Sequence, residues 1–377
     1  MSLGNRHFVE KKLVLYHTFK GVYWGNMPIK KKRLVMRFFR HRLYAIFFVL
    51  GIFFSAQPSK SESMGKVVVS IADKIQKGNI ALIDTKNSRI VELEMNGTVV
   101  WQTKFPDLFK NGAWNAGADI EWLQNTDTFL VAVPKAGFFE ISRDGKIITQ
   151  CKSKFISHDV DKIGDDLFIF VNGWDDKGKN EPIITLMSSK CDKIWEKKAE
   201  FFSVKEEDLQ PRFIKDKAKL HTNSVRLLPN GNYMASIRNY DQIVIFNKIR
   251  VIKRFKDAPG VHDPSEIYKE GDAAFFYYAN RGRPQSINKR DFNFPERRPE
   301  IIWSGPRSRE RAWTPLRTLE KLSNGNWLVT GSREVGQVSE DGKIVWELHF
   351  PEFRHQKKRG LNKTYIYKAS FVYPSDN

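Results

Sequence analysis

Three of the eight histidines occupy like places in the chain. His158 stands in SHDVDKIGDDLFIF, His221 in LHTNSVRLLPNGNYMASI and His262 in VHDPSEIYKEGDAAFFYY. Each precedes a turn by six to ten residues, at the opening of an alternating apolar segment. A lone histidine at such a place is ordinarily structural. Three at one register in successive segments point to a common centre, where imidazole can serve as nucleophile or base near neutral pH. Three imidazoles would equally suit zinc.

The cations decide between these readings. Lys86 in IDTKNS, Lys135 in AVPKAG, Arg238 in SIRNYD, Arg281 in ANRGRP and Arg333 in GSREVG each follow a second apolar segment at nearly one register, with Trp174 in the remaining copy. Cations and imidazoles in one funnel repel a divalent metal and attract an anion, and arginine offers fork-shaped donors to a tetrahedral oxyanion. The expected ligand is a sulfate or phosphate ester, or a polyanionic glycan. No metal is expected.

The elements that must hold these groups recur. RIVELEMNGTVVW (residues 89–101) is echoed from Gly137, Pro182, Gln242, Pro284 and Gly336, giving six copies. Each copy alternates apolar and polar residues around a turn, clearest at Asn96-Gly97, Asp144-Gly145 and Asp341-Gly342, and so reads as a β-hairpin. A second hairpin precedes most copies, such as SVRLLPNGNYMASI and LEKLSNGNWLVTG, making four strands per unit. Four strands repeated every 40 to 60 residues define an all-β, six-bladed β-propeller. The first copy lacks a first strand, and TYIYKASFVY (364–373) resembles one without a partner. The C-terminal strand is therefore expected to complete blade one. Trp101, Trp195, Trp303 and Trp346 share one hairpin position and are expected to pack between blades.

Composition separates an address from the domain. The 377 residues carry 63 Lys and Arg against 43 Asp and Glu, a net +20, with 41% hydrophobic residues, which excludes intrinsic disorder. Half of that excess lies in residues 1–56, where eleven basic residues face one acid, Glu10. The apolar run LYAIFFVLGIFFSA (43–56) follows them directly, in the manner of a secretory signal or an anchor, and Met36 would begin a signal of ordinary proportions. Residues 57–377 are then one propeller in a periplasmic or secreted protein. Any membrane contact would run through residues 43–56 if they are uncleaved. The two cysteines exclude a disulfide scaffold; Cys151 and Cys191, 40 residues apart, pair or stay free. The basic stretches 281–298 and 355–360 read as solvated loops, and no nucleic-acid partner is expected.

HDV at His158, HTNSVRLLPNGNYMASIRN around His221 and Arg238, and VHDPSEI at His262 resemble, in that order, the bacterial arylsulfate sulfotransferases. The resemblance spans about residues 70–373. It implies that His262 is the nucleophile, transiently sulfurylated, and that His158, His221 and Arg238 hold the sulfuryl group. Asn223 of the HTNS phrase joins the substrate-binding set with Lys86, Lys135, Arg281 and Arg333. The implied reaction moves a sulfuryl group from a small aromatic sulfate ester to a phenolic acceptor, with no cofactor. The alternative is a non-catalytic propeller binding an anionic glycan or an envelope protein through the same funnel. Asp159 and Asp263, each directly after a key histidine, either orient an imidazole or form turns.

Overall fold

A computed structural model of the chain describes residues 62–104, 117–172, 181–211, 214, 220–281, 284–305, 313, 315–353 and 366–374. The N-terminal extension with Met36 and the apolar run 43–56, Trp174, and the basic turn 355–360 lie outside the described residues. Glu62–Asn377 forms one compact unit. Among the described residues no helix is long and apolar enough to cross a membrane.

The chain is a six-bladed β-propeller. It starts with β1 (Lys66–Ser70). Blade 1 takes β2 (Asn79–Asp84), β3 (Arg89–Glu94) and β4 (Val99–Lys104); blade 2 is β5 (Asp119–Leu123), β6 (Thr128–Val133), β7 (Gly137–Ser142) and β8 (Ile147–Lys152). Blade 3 is β9 (Val160–Lys162), β10 (Leu167–Val171), β11 (Pro182–Ser188) and β12 (Lys193–Lys198). Blade 4 is β13 (Thr222–Leu227), β14 (Tyr233–Ile237), β15 (Gln242–Phe246) and β16 (Val251–Phe255). Blade 5 opens with two short pieces, β17 (His262–Pro264) and β18 (Tyr268–Glu270), which both pair with β19 (Ala273–Asn280), followed by β20 (Ser286–Asp291) and β21 (Glu300–Ser304). Blade 6 is β22 (Leu319–Lys321), β23 (Trp327–Thr330), β24 (Glu334–Val338) and β25 (Ile344–His349).

The last strand, β26 (Ala369–Val372), lies against β2 as the innermost strand of blade 1, as the unpartnered TYIYKASFVY segment predicted. At the opposite rim β1 adds a fifth, outermost strand to blade 6 by pairing with β25. The VVVS run shows no strand signature in the sequence, since a short edge strand carries little periodicity of its own.

Sequence pattern follows burial. Inner strands such as β2, β6 and β15 are covered on both faces and read as nearly continuous apolar runs, whereas outer β4 alternates inside and outside. Six clusters of buried apolar residues fill the six contacts between successive blades, and the one joining blades 6 and 1, with Ile80, Leu348 and Phe371, closes the ring. Each fully buried Phe or Ile contributes about 1.5–3 kcal/mol of transfer free energy. The recurring tryptophans belong to these contacts: Trp101 Nε1 donates to Arg143 O of blade 2 (2.7 Å), and Trp346 Nε1 to Met95 O of blade 1 (3.0 Å). The turns follow their signatures, with Gly97, Gly145 and Gly342 at φ +88°, +79° and +75°.

Candidate functional site

In an up-and-down blade the first strand begins, and the second strand ends, on the same face of the ring. The residues that open the six first strands therefore meet there, together with the loops between second and third strands. They are Tyr367 before β26, Gly117 before β5, His158 before β9, His221 before β13, His262 at the start of β17 and Arg317 before β22. The three histidines are only 3–5% exposed, and Arg317 is 5% exposed.

The structure brings all three predicted histidines to this funnel. His158 and His221 stack with ring centroids 5.4 Å apart, and Tyr367 stacks on His158 at 5.0 Å and 18°. The Arg317 guanidinium sits 4.6 Å from the centre of the Tyr367 ring, and its Nη1 donates to Ile366 O (3.1 Å). Gly117 makes this stack possible. A Cβ there would lie 2.1 Å from His158 Nδ1 and 3.1 Å from Tyr367, and its φ of +118° suits glycine.

His262 has the most cationic surroundings. Burial holds its pKa well below the usual 6.5, with Arg281, Arg317 and then Arg238 pushing the same way against the Gly260 carbonyl. Burial likewise depresses His158, followed by His221, Arg238 and Arg317. Both rings are therefore neutral at pH 7. His262 Nδ1 lies 2.8 Å from Gly260 O. A carbonyl only accepts, so the proton sits on Nδ1 and Nε2 keeps its lone pair.

Local backbone irregularities aim these rings. The pairing of β13 slips at Asn223 and that of β17 at Asp263, so each first strand bulges within two residues of its histidine. His221 and Asp263 are held at φ +51° and +38°, a region that costs a non-glycine residue about 1–2 kcal/mol. Asn223 donates its amide to Val261 O (2.7 Å), and Asp241 accepts from Gly260 N (2.7 Å), so blade 4 fixes both residues before His262. Asn223 thus supports the neighbour of His262 through its Nδ2.

The predicted cations do occupy the loops between second and third strands, yet they differ in surroundings. Arg238 is buried in a short 3-10 turn, Arg238–Tyr240, and its Nε and Nη2 donate to Asn239 Oδ1 (3.2 and 3.1 Å). Arg281 is exposed and acts on His262 through its charge. Arg333 donates to His349 Nε2 (3.1 Å). Lys135 is exposed, at φ +64°. Lys86 points away to Glu352 (2.5 Å) and lines a cleft of about 240 Å³ with Arg89 and Phe353.

Arg317, Tyr367 and Gly117 were missed by the sequence reading. The signal was present, since Arg317 stands two residues before β22 as His158 does before β9, and Tyr367 opens the strand already assigned to blade 1. Extending one register around the whole ring would have found them.

Beneath the histidines the axis changes sign. Lys368 Nζ contacts Asp119 (3.2 Å), Asp159 and, at 4.0 Å, Asp263. Farther along the first strands a cavity of about 290 Å³ is lined by Glu121, Asp161, Glu266 and Glu320 with Arg226. Burial, reinforced by neighbouring carboxylates, pushes Glu121 and Glu320 up to about 8; Asp119 rises to about 7 against the pull of Lys368. Among the described residues no group of His, Cys, Asp or Glu is arranged to hold a metal ion.

No protein family and no curated protein matches the sequence. Solved structures do align with the chain. A protein of unknown function from Bacteroides caccae aligns over 79% of this chain and 99% of its own at TM-score 0.49 and 11% identity. A catalytically inactive virginiamycin B lyase from Staphylococcus aureus aligns over 79% and 87% at 0.47 and 13%, and a gluconolactonase from Xanthomonas campestris over 77% and 89% at 0.47 and 9%. Likeness at this level does not extend to activity. What the fold and the site define is a six-bladed propeller with a cationic, imidazole-lined funnel on one face.

Proposed function

We propose that this chain is an exported sulfuryl-transfer enzyme acting on small aromatic sulfate esters. The observation that carries the reading is His262: a buried, neutral imidazole, protonated on Nδ1, set among the charges of Arg238, Arg281 and Arg317. Its Nε2 attacks the ester sulfur, the sulfur–oxygen bond to the aryl group breaks, and the electron pair leaves on a phenolate. That leaving group is workable because its conjugate acid has a pKa of about 10. The guanidiniums offset charge on the equatorial oxygens, as fixed donors do in phosphoryl transfer. An acceptor phenol then attacks the same sulfur, the nitrogen–sulfur bond breaks, and the phenol proton passes to solvent or to the departing phenolate. No cofactor enters this sequence.

Export belongs to the same proposal. Cys151 on β8 and Cys191 in the turn before β12 form a disulfide across blades 2 and 3, with Cα atoms 5.3 Å apart, and such bridges persist in oxidising compartments.

Incubation with a chromogenic aryl sulfate and a phenol tests the reading. Wild type should release chromophore and carry one SO3 group on the His262 peptide after quenching, and His262→Ala should do neither. A wild-type protein that turns over no donor, yet binds sulfated glycans in a salt-dependent way, would replace the enzyme with the glycan-binding alternative.

A further inference from the structure

One side chain touches carboxylates from three blades, and through them the first strands of the other blades. Lys368 directly precedes the closing strand of blade 1, is 8% exposed, and contacts Asp119 of blade 2, Asp159 of blade 3 and, at 4.0 Å, Asp263 of blade 5. The second oxygen of each carboxylate accepts a backbone N–H from the following blade. Asp119 Oδ2 takes Val160 N (3.2 Å), Asp159 Oδ2 takes Val225 N (2.7 Å) and Asp263 Oδ2 takes Leu319 N (2.9 Å). The ammonium and three carboxylates thus reach all six blades at the axis.

Two of those carboxylates directly follow histidines of the funnel. Asp159 follows His158 and Asp263 follows His262, and Asp263 is also the bulged residue held at φ +38°. A strained backbone persists only where its surroundings fix it. At Asp263 the side chain supplies two of those fixings, a hydrogen bond from Leu319 N (2.9 Å) and a longer ionic contact with Lys368 (4.0 Å). The sequence had left both aspartates as either imidazole orienters or turn formers. Neither of their carboxylates is spent on an imidazole. They act on the histidines through the main chain.

We propose that Lys368 is the positioning residue of the funnel: delivered by the last strand, it fixes the backbone at Asp159 and Asp263 and thereby the placement of His158 and His262. The funnel is therefore complete only once the C-terminal strand has closed the ring. For its consequence in turnover this rests on His262 being the reacting group; the positional claim stands without it.

Imidazole nitrogen–proton correlation spectra of the full chain read position directly. In wild type, His262 should show a protected Nδ1–H from its bond to Gly260. In Lys368→Met, with cooperative unfolding retained, that signal should exchange at least about tenfold faster or vanish, because the bond that shields it has lengthened. Lys368→Arg should restore it. Should Lys368→Met fail to fold, Asp263→Asn serves, since it keeps an oxygen for Leu319 N but loses the charge. Removing that negative charge would by itself depress His262 further, so a pKa that moves back toward the ordinary imidazole range reports displacement. An unchanged His262 signal in a folded Lys368→Met, or in Asp263→Asn, overturns the proposal. Turnover of an aryl sulfate, measured in parallel, separates the two claims: an inactive wild type with the expected spectra rejects sulfuryl transfer and leaves the positioning intact.

Discussion

A neutral imidazole among guanidiniums has a particular use. Each cation makes protonation of His262 harder, so the lone pair stays available while, in the proposed reaction, the same cations attract the anion to be attacked. Because His262 titrates well below 6.5, kcat/KM should stay level from neutral pH down through the ordinary histidine range and fall only at more acidic pH. Arg317→Gln removes one depressing charge and, in the proposed reaction, one oxyanion donor. The acid limb should then move upward, and kcat should drop by about 10²-fold, the usual loss for one such donor. An acid limb of kcat/KM that stays in place in this variant, measured with subsaturating aryl sulfate, would show that Arg317 does not face the reacting centre. At this scale the histidines were legible because they are rare and repeat at one offset. Lys86 shared the cation offset and yet turns to Glu352, since the direction of a long side chain is set by neighbours that the offset does not contain.

Among the elements, hairpins were the easiest to read. Their Asn-Gly and Asp-Gly turns and alternating strands are local, and the structure has strands at every one of the six copies. Pairings between distant segments were harder. β26 on β2 was foreseen because an unpartnered strand had to cover an open edge, whereas β1 on β25 was not, and the split of β17 from β18 around Pro264 shows only in the pairing with β19. The Cys151–Cys191 bridge is of the same kind, because sequence separation does not give distance. It staples the outer strand of blade 2 to blade 3, so Cys151→Ser should lower unfolding stability by about 2–4 kcal/mol while leaving the fold intact. Urea unfolding of variant and wild type, each with and without reductant, checks this. Reductant should bring wild type down to the variant's midpoint, and equal midpoints without it would show that the bridge contributes nothing.

For the molecule as a whole, the axis is polarised, with imidazoles and guanidiniums on one face and carboxylates within the other half. That arrangement makes stability depend on pH in a defined direction. Glu121, Glu320 and Asp119 have folded pKa values of about 8, 8 and 7, above those of the unfolded chain, so the folded state keeps protons that the unfolded state has released. Their contribution is complete below the ordinary carboxylate range and is lost as pH rises toward 8. His158 and His262 are depressed, so theirs is present above about 6.5 and lost as pH falls. Between pH 6.5 and 8.5 the carboxylates should dominate, and Tm should fall by a few degrees, each kcal/mol being worth roughly 2–4 °C or less in so large a domain. Calorimetry across that window, with Glu121→Gln plus Glu320→Gln as the flattened control, checks the sign; a Tm that rises through it would mean that these carboxylates are ionised in the fold. The sequence by itself determined the six-fold repeat, the closing strand and the three histidines, because turn chemistry, strand alternation and a shared offset are written within each copy. Only the tertiary structure decided which cations face His262, that Gly117 lets two rings meet, and that one lysine holds three aspartates. Those are contacts among blades far apart in the chain, fixed by the closure of the ring and by burial rather than by any residue's sequence neighbours.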